Sequence, residues 1–426
     1  MAYQAYITTV KKLRKHSNAD RLQVAELFGN DVIVSLDVKE GDLGVYFPTD
    51  GKLGLEYAEA NKLLRTQGGY LDDEKRHVTT IRLRGEKSDG LFMPITSLAK
   101  FVKVDTLKEG DTIDILKGVV ICEKYVPKSK PRKDMPQGKN KEKQKKEDVI
   151  NYPFFEQHID TAQLAYNTRS FKEGDDCVIS LKLHGTSQRT AHTVKEHKSK
   201  FAKFLNKIGI KTKPTKVWDY VTGTRRVTLN TTQFGGGYYG SNEFRKQWHD
   251  FFDGKLHKGE EVFYEVVGYV NQDTLIMPEC DNKKTKDKEF IKTYGDKTRF
   301  TYGCRVGQSD IYVYRMTMTN EDGQVVEYPW HLVKLRCEQM GVKICPELDS
   351  FKFTTADDLM ERVNAHVDGA DPIGKTHLRE GVIVRIENRE KFSAFKQKSF
   401  NFKLLEGIIK ADDVLDMEEE ESTTEE

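Results

Sequence analysis

Paired cysteines are missing from this 426-residue sequence: its six, Cys122, Cys177, Cys280, Cys304, Cys337 and Cys345, include no C-x-x-C and no zinc spacing. That excludes a disulfide-stapled scaffold and a cysteine-based zinc module, and suggests reduced thiols in a cytosolic setting. No apolar run approaches the ~18 residues of a membrane helix, and Met1-Ala2-Tyr3-Gln4 lacks a basic-then-apolar signal. A soluble, cytoplasmic protein with no membrane partner is the expectation. An excess of either charge is lacking too: 69 Lys and Arg against 67 Asp and Glu leave +2. No global field marks a nucleic-acid binder, so any such contact must come from local patches. No internal repeat of fixed period is visible.

What is present suffices for packed cores, with 37% hydrophobic and 10% aromatic residues, and the length suggests two or three domains. Residues 1–120 carry short strand-like runs such as Leu22–Leu27, Asp31–Leu36 and Gly44–Pro48, broken by Gly, Asp and Asn. This spacing predicts a small antiparallel barrel. A later run, Ile81 to Leu91, places Arg82 and Arg84 on one predicted strand face beside a turn. They read as a nucleic-acid contact or as a solvated edge that discourages aggregation. Residues 121–150 include Pro127-Lys128-Ser129-Lys130-Pro131-Arg132-Lys133 and a charged run to Glu147, a flexible basic linker that could also hold phosphates. Residues 151–410 resume globular sequence, and 411–426 form an acidic tail read as disordered.

The chemistry concentrates between 177 and 400. Cys177-Val178-Ile179-Ser180-Leu181-Lys182-Leu183-His184-Gly185-Thr186-Ser187 alternates, with Ile179, Leu181 and Leu183 on one face and Ser180, Lys182 and His184 on the other. A strand lysine just before a glycine can meet a phosphate closely, because glycine brings no side chain. In Glu261-Val262-Phe263-Tyr264-Glu265-Val266-Val267-Gly268, Glu265 sits mid-strand among apolar residues, where burial demands a cationic or hydroxyl partner. Lys396 and Lys398 lie two apart on a predicted strand, hence on one face, where an anion would relieve their repulsion. Lys203 and Lys207 belong to a lysine-rich run from Lys195 to Lys216, either a duplex-backbone patch or a solvated insertion. Gly235-Gly236-Gly237-Tyr238-Tyr239-Gly240 satisfies G-x-G-x-x-G, but it follows no clear buried strand and is read as a loop.

Lys182-Leu183-His184-Gly185-Thr186 resembles the first motif of the covalent nucleotidyltransferases, and its histidine form resembles that of RNA ligases. Thr224-Arg225, the Glu265 strand, Ser309 to Met316, Leu378-Arg379-Glu380-Gly381-Val382-Ile383-Val384-Arg385 and the Lys396/Lys398 pair follow in that family's order. Two departures are Tyr264 where glycine usually precedes the glutamate, and Arg315 where aspartate often follows the aromatic residue. With His16-x-x-Ala19-Asp20-x-Leu22 resembling the opening of OB-type tRNA-binding modules, the chain looks most like the Deinococcus-type RNA ligases.

The resemblance implies an α+β chain, an N-terminal OB-like β-barrel followed by an antiparallel-sheet, ATP-grasp-like ligase domain. It implies Lys182 as nucleophile toward ATP, with Glu265, Glu380, Lys396 and Lys398 completing the catalytic set. His184, Gly185, Arg225, Tyr314 (favoured over Tyr312) and Val384 would bind the nucleotide, and Glu265 and Glu380 would hold Mg²⁺ or Mn²⁺. The expected partner is a nicked duplex with an RNA 3′-OH end, gripped in part by Arg82, Arg84, Lys203 and Lys207, and the expected state is a monomer. A capping guanylyltransferase, a DNA ligase and a non-catalytic RNA-binding module are the alternatives.

Overall fold

The computed structural model describes residues 3–126, 151–156, 158–197, 208, 211–225, 227–229, 239, 243–387 and 389–411. Residues 127–150 of the expected linker, the tail beyond residue 411, the loop 235–238 with Gly240, and Lys203 and Lys207 lie outside the described residues, whereas Cys122–Lys124 of the expected linker form a strand. The chain divides into two compact units: Met1–Lys128 with Ser399–Asp413, and the stretch Ser129–Lys398 grouped with Val414–Glu426.

In the first unit the predicted runs become strands Leu22–Leu27, Asn30–Ser35 and Leu43–Phe47. Leu91–Pro94, Leu43–Phe47, Ala5–Thr9 and Thr112–Ile113 form one sheet in that order. Ile7, Val45, Phe47, Leu53 and Tyr57 build a core beneath it. The expected closed barrel is not formed: among the described residues the strands pair in separate open sheets. Strands of two to six residues give short ladders. Asn30–Ser35 meets Glu86–Asp89 through a side chain instead, with Ile33 N–H donating to Ser88 Oγ at 3.0 Å.

The second unit is built on two sheets. The strands that matter are β1 (Asp176–Lys182), β2 (Thr186–His197), β3 (Thr215–Gly223), β4 (Glu260–Gly268), β5 (Ser309–Thr319), β6 (Glu347–Lys352), β7 (Gly381–Ile386) and β8 (Ala394–Lys398). Helices α1 (Glu243–Phe252) and α2 (Ala356–Val367) also belong here, while α3 (Phe400–Ala411) falls in the first unit. One sheet runs Ala162–Gln163, β8, β7, β1, β6, and the other Thr228–Leu229, β3, β2, β4, β5, Val325–Glu327. The turn Leu183-His184-Gly185 carries the chain from the first sheet to the second.

Period-two alternation decides which side chains face the site. Cys177, Ile179, Val382, Val384, Ile386 and Phe395 pack with Leu359, Val363 and Val367 of α2 into one apolar core. The opposite face carries Lys182, which pairs across β7 with Gly381, then Ser180 with Ile383. On β8, Lys396 pairs with Ile383 and Lys398 with Gly381, so both lysines share the face of Lys182.

Candidate nucleotidyl-transfer site

At the end of β1, Lys182 Nζ lies 2.8 Å from Glu380 Oε1, and Lys398 Nζ approaches the same oxygen at 3.6 Å. The Glu380 side chain is only 2% exposed, and those of the two lysines 14% and 13%. Low exposure strengthens these attractions and removes the water that would otherwise screen two ammonium groups sharing one carboxylate. Glu380 Oε2 is 3.9 Å from His184 Nδ1 and, among the described residues, receives no hydrogen bond. Lys182, His184, Glu380 and Lys398 therefore converge, and Lys396 lies on the same strand face one pair away.

Gly185 is required by packing as much as by any ligand. A Cβ there would meet Val266 O at 2.4 Å and Glu265 Cγ at 3.0 Å. Only glycine lets the turn pass this close to β4. That strand is buried along all nine residues, including three glutamates. Glu260 takes two hydrogen bonds of 2.8 Å from Arg336, and Glu261 lies 3.5 Å from Arg189 Nε. Burial outweighs Arg189 and pushes the Glu261 carboxyl up to about 8. Glu265, paired with Ser187 on one side and Tyr312 on the other, is the glutamate beside the Gly185 turn.

Tyr314 projects from β5 near a bulge opposite Phe263 and Tyr264, half-buried where Tyr312 is buried. Its hydroxyl is 2.8 Å from Ser187 Oγ and 3.2 Å from His158 Nδ1. His158 Nε2 lies 3.8 Å from Asp160, which accepts hydrogen bonds from Arg225 Nε at 2.9 Å and from Arg225 Nη2. Burial raises the Asp160 carboxyl, but the charge and hydrogen bonds of Arg225 outweigh it, so the carboxyl sits below its ordinary range. Arg225 thus joins Tyr314 through a polar chain, with its guanidinium on Asp160. His158 and Asp160 carry no signal in sequence, because a lone His-x-Asp in a loop says nothing of what it folds against.

Three sequence expectations need correction. Val384 is wholly buried in the α2 core, not on the nucleotide face. Period-two alternation in Glu380-Gly381-Val382-Ile383-Val384 predicts Glu380 on the side of Val382 and Val384, but the strand starts at Gly381 and Glu380 lies outside the pleat. Ile383 occupies the site-facing position instead. Arg82 and Arg84 do not share a strand face: Arg84 has φ 50° and Gly85 φ 93°, forming the two-residue turn of the hairpin Thr80–Leu83/Glu86–Asp89. Arg82 lies over the Phe400 ring of α3 at 5.5 Å, within the first unit. His16 is a buried structural residue, its Nδ1 accepting from Asn18 N–H at 3.0 Å and its Nε2 3.2 Å from Leu83 O.

No group of three or more His, Cys, Asp or Glu among the described residues is placed to hold a metal ion. The carboxylates of Glu380 and Glu265 nonetheless fit a hard divalent cation, which takes oxygen ligands and completes its shell with phosphate and water. Glu380 Oε2, buried and without a hydrogen bond among the described residues, is one oxygen placed for this.

Structural comparison places the chain beside solved RNA ligases. It superposes on a lysine-to-alanine mutant of the Naegleria gruberi RNA ligase with ATP and Mn at TM-score 0.59 and 17% identity, covering 94% of this chain and 98% of that one. The chain has the fold of an RNA ligase. A glutamate-to-alanine mutant of the same Naegleria enzyme with AMP and Mn gives 0.59, 17%, 94% and 97%, and the form with PPi gives 0.58, 18%, 93% and 97%. Residues 4–95, within the first unit, match an OB-fold domain family model. No curated protein sequence matches the chain. No described helix is long and apolar enough to cross a membrane.

Proposed function

We propose that the chain is an ATP-dependent RNA ligase, sealing 3′-OH/5′-phosphate nicks through lysyl-AMP and an adenylylated 5′ end. The observation that carries this reading is the sharing of buried Glu380 by Lys182 and Lys398, at the end of β1 in a fold whose solved relatives hold ATP, AMP or PPi. A lysine with an ordinary pKa of about 10.4 must lose a proton before it can attack. Glu380 Oε1, 2.8 Å away, holds the amine in place, and the positive charge of Lys398, 3.6 Å from the same oxygen, favours release of the Lys182 proton to solvent. The neutral amine then attacks the α-phosphorus of ATP, forming the P–N bond as pyrophosphate leaves.

Lys396 and Lys398, on the face of Lys182, meet the charge that develops on the phosphates. His184 stands beside them for a phosphate oxygen, and Tyr314 offers a half-buried ring to the base. Arg225, held by Asp160, reaches the ribose or phosphate. A divalent cation held by Glu265, Glu380 and phosphate oxygens would neutralise charge on the phosphoryl group. AMP next passes from Lys182 to a 5′-phosphate, and a 3′-OH displaces it to form the phosphodiester. We assign this chemistry to residues 151–398, and assign the OB-fold unit, with Arg82, Arg84 and the basic linker, to gripping the nicked duplex, where binding weakens steeply with salt. Lys203 and Lys207 add to that grip from the lysine-rich insertion.

Incubation with radiolabelled ATP or GTP tests the reading. Transfer of label from ATP to Lys182, followed by sealing of a nick with an RNA 3′-OH, is expected. Label from GTP would favour a capping enzyme, and no label from either would favour a binding module.

A further inference from the structure

Tyr302 lies in no recognisable motif, yet the structure brings it to the nucleophile. Its hydroxyl accepts a hydrogen bond from the backbone N–H of His184, two residues after Lys182, at 2.6 Å across 118 residues of sequence. The hydroxyl and the turn are buried together. Tyr302 also adopts φ 51°, a left-handed conformation that a bulky side chain takes only when its surroundings impose it. Those surroundings are visible. Gly374 packs so tightly on the next residue that a Cβ there would meet Gly303 N at 2.4 Å. His377 stacks edge-on against the Tyr302 ring with centroids 4.5 Å apart. Phe300, two residues earlier, sets its ring edge-on to the His184 imidazole at 4.6 Å. One short segment therefore grips His184 twice, by its amide and by its ring.

Burial, with Glu380, Asp371 and Glu265 nearby, raises the phenol well above its usual range, so the hydroxyl stays neutral. A neutral oxygen accepts from the amide without adding a charge beside Lys182.

We propose that Tyr302 is a positioning residue that clamps the Lys182-Leu183-His184-Gly185 turn and so aims the Lys182 amine at the α-phosphorus. The proposal rests on the ligase reading above. The clamp serves the step in which Lys182 is the nucleophile, whereas joining a pre-adenylylated 5′ end to a 3′-OH makes no use of that amine.

The test compares full-length wild type with Tyr302→Phe, which keeps the ring against His377 and removes only the acceptor oxygen. Lysyl-AMP formation in single turnover should slow about tenfold, the effect of losing one buried hydrogen bond at the reacting geometry. The ATP concentration at half-maximal rate and the joining of a pre-adenylylated nick should stay near wild type, while the melting temperature should fall by only a few degrees as the His184 N–H is left unpaired. An unchanged adduct rate overturns the clamp, and so does an equal fall in both steps, which marks a purely structural tyrosine. If wild type forms no adduct with ATP, the ligase reading fails on its own. The clamp is then read from borohydride-trapped labelling of Lys182 by pyridoxal phosphate, measured by peptide mass spectrometry. A slower rate in the variant supports the clamp, and an equal rate overturns it.

Discussion

Replacing Glu380 by glutamine keeps its shape and removes one charge from beneath two ammonium groups. Both lysines lie close to the same carboxylate oxygen, 2.8 and 3.6 Å away, with side chains about one-seventh exposed. Solvent therefore compensates little. Removing one partner of a buried pair costs about 3–5 kcal/mol, and the residual exposure of the lysines argues for the lower end, about 3. In a unit of roughly 250 residues, where each kcal/mol moves the melting temperature by about 2–4 °C, Glu380→Gln should melt about 6–12 °C lower. The added Lys398→Met substitution removes the second ammonium and should restore part of the loss. The double-mutant cycle, followed by circular dichroism in urea, should show a coupling of about 1–3 kcal/mol. Loss of lysyl-AMP formation should accompany Glu380→Gln. Additive effects of the two substitutions, or a melting temperature within about 2 °C of wild type, would refute the claim that this carboxylate holds the lysines together.

Lys182→Ala should abolish the acid-labile AMP adduct altogether, and an unchanged adduct by gel autoradiography would refute the assignment of the nucleophile. Lys396→Ala or Lys398→Ala should suppress nick joining far more than loss of one exposed charge, at least tenfold, in a gel assay on a nick with an RNA 3′-OH. Glu261, raised to about 8, favours its protonated form in the folded state. The stability it contributes is therefore complete below its ordinary value of 4.5 and is lost as pH rises through about 8. The slope between those values is at most about 1.4 kcal/mol per pH unit. Glu261→Gln should flatten that slope in urea titrations at pH 5, 6.5 and 8.

Much of the site was legible because strand alternation survives folding. Lys182 opposes Ile179 and Leu181, and Lys396 and Lys398 share a face, both as period two requires. Alternation failed where the strand ended: Glu380 lies one residue before β7, outside the pleat that sends Val384 to the core. Arg84 misled for a related reason, since a turn residue at positive φ no longer obeys its neighbours' alternation. Gly185 was read as an approach for phosphate, but Val266 O fills the space a side chain would need. Tyr302, His158 and Asp160 were beyond reach, because each acts through a contact more than 60 residues away in sequence. Barrel closure was likewise undetermined, since short alternating runs specify strands without specifying which edges pair.

The placement of α3 makes the first unit discontinuous in the chain. Phe402 and Leu405 of that helix are buried, and Lys403 reaches Asp89, whose other oxygen accepts from Thr80 Oγ1 at 2.7 Å. The chain runs from Lys398 on β8 to Phe400 on α3 across the single residue Ser399, whose hydroxyl receives Phe402 N–H at 3.1 Å. During synthesis from the N-terminus, the OB-fold unit waits about 270 residues for the segment that covers it, while the intervening unit emerges whole. The second unit is topologically an insert. An exchange of N-terminal cassettes at the linker would leave α3 behind, severed from the surface it was shaped to cover, whereas a graft carrying both ends would transfer an intact fold.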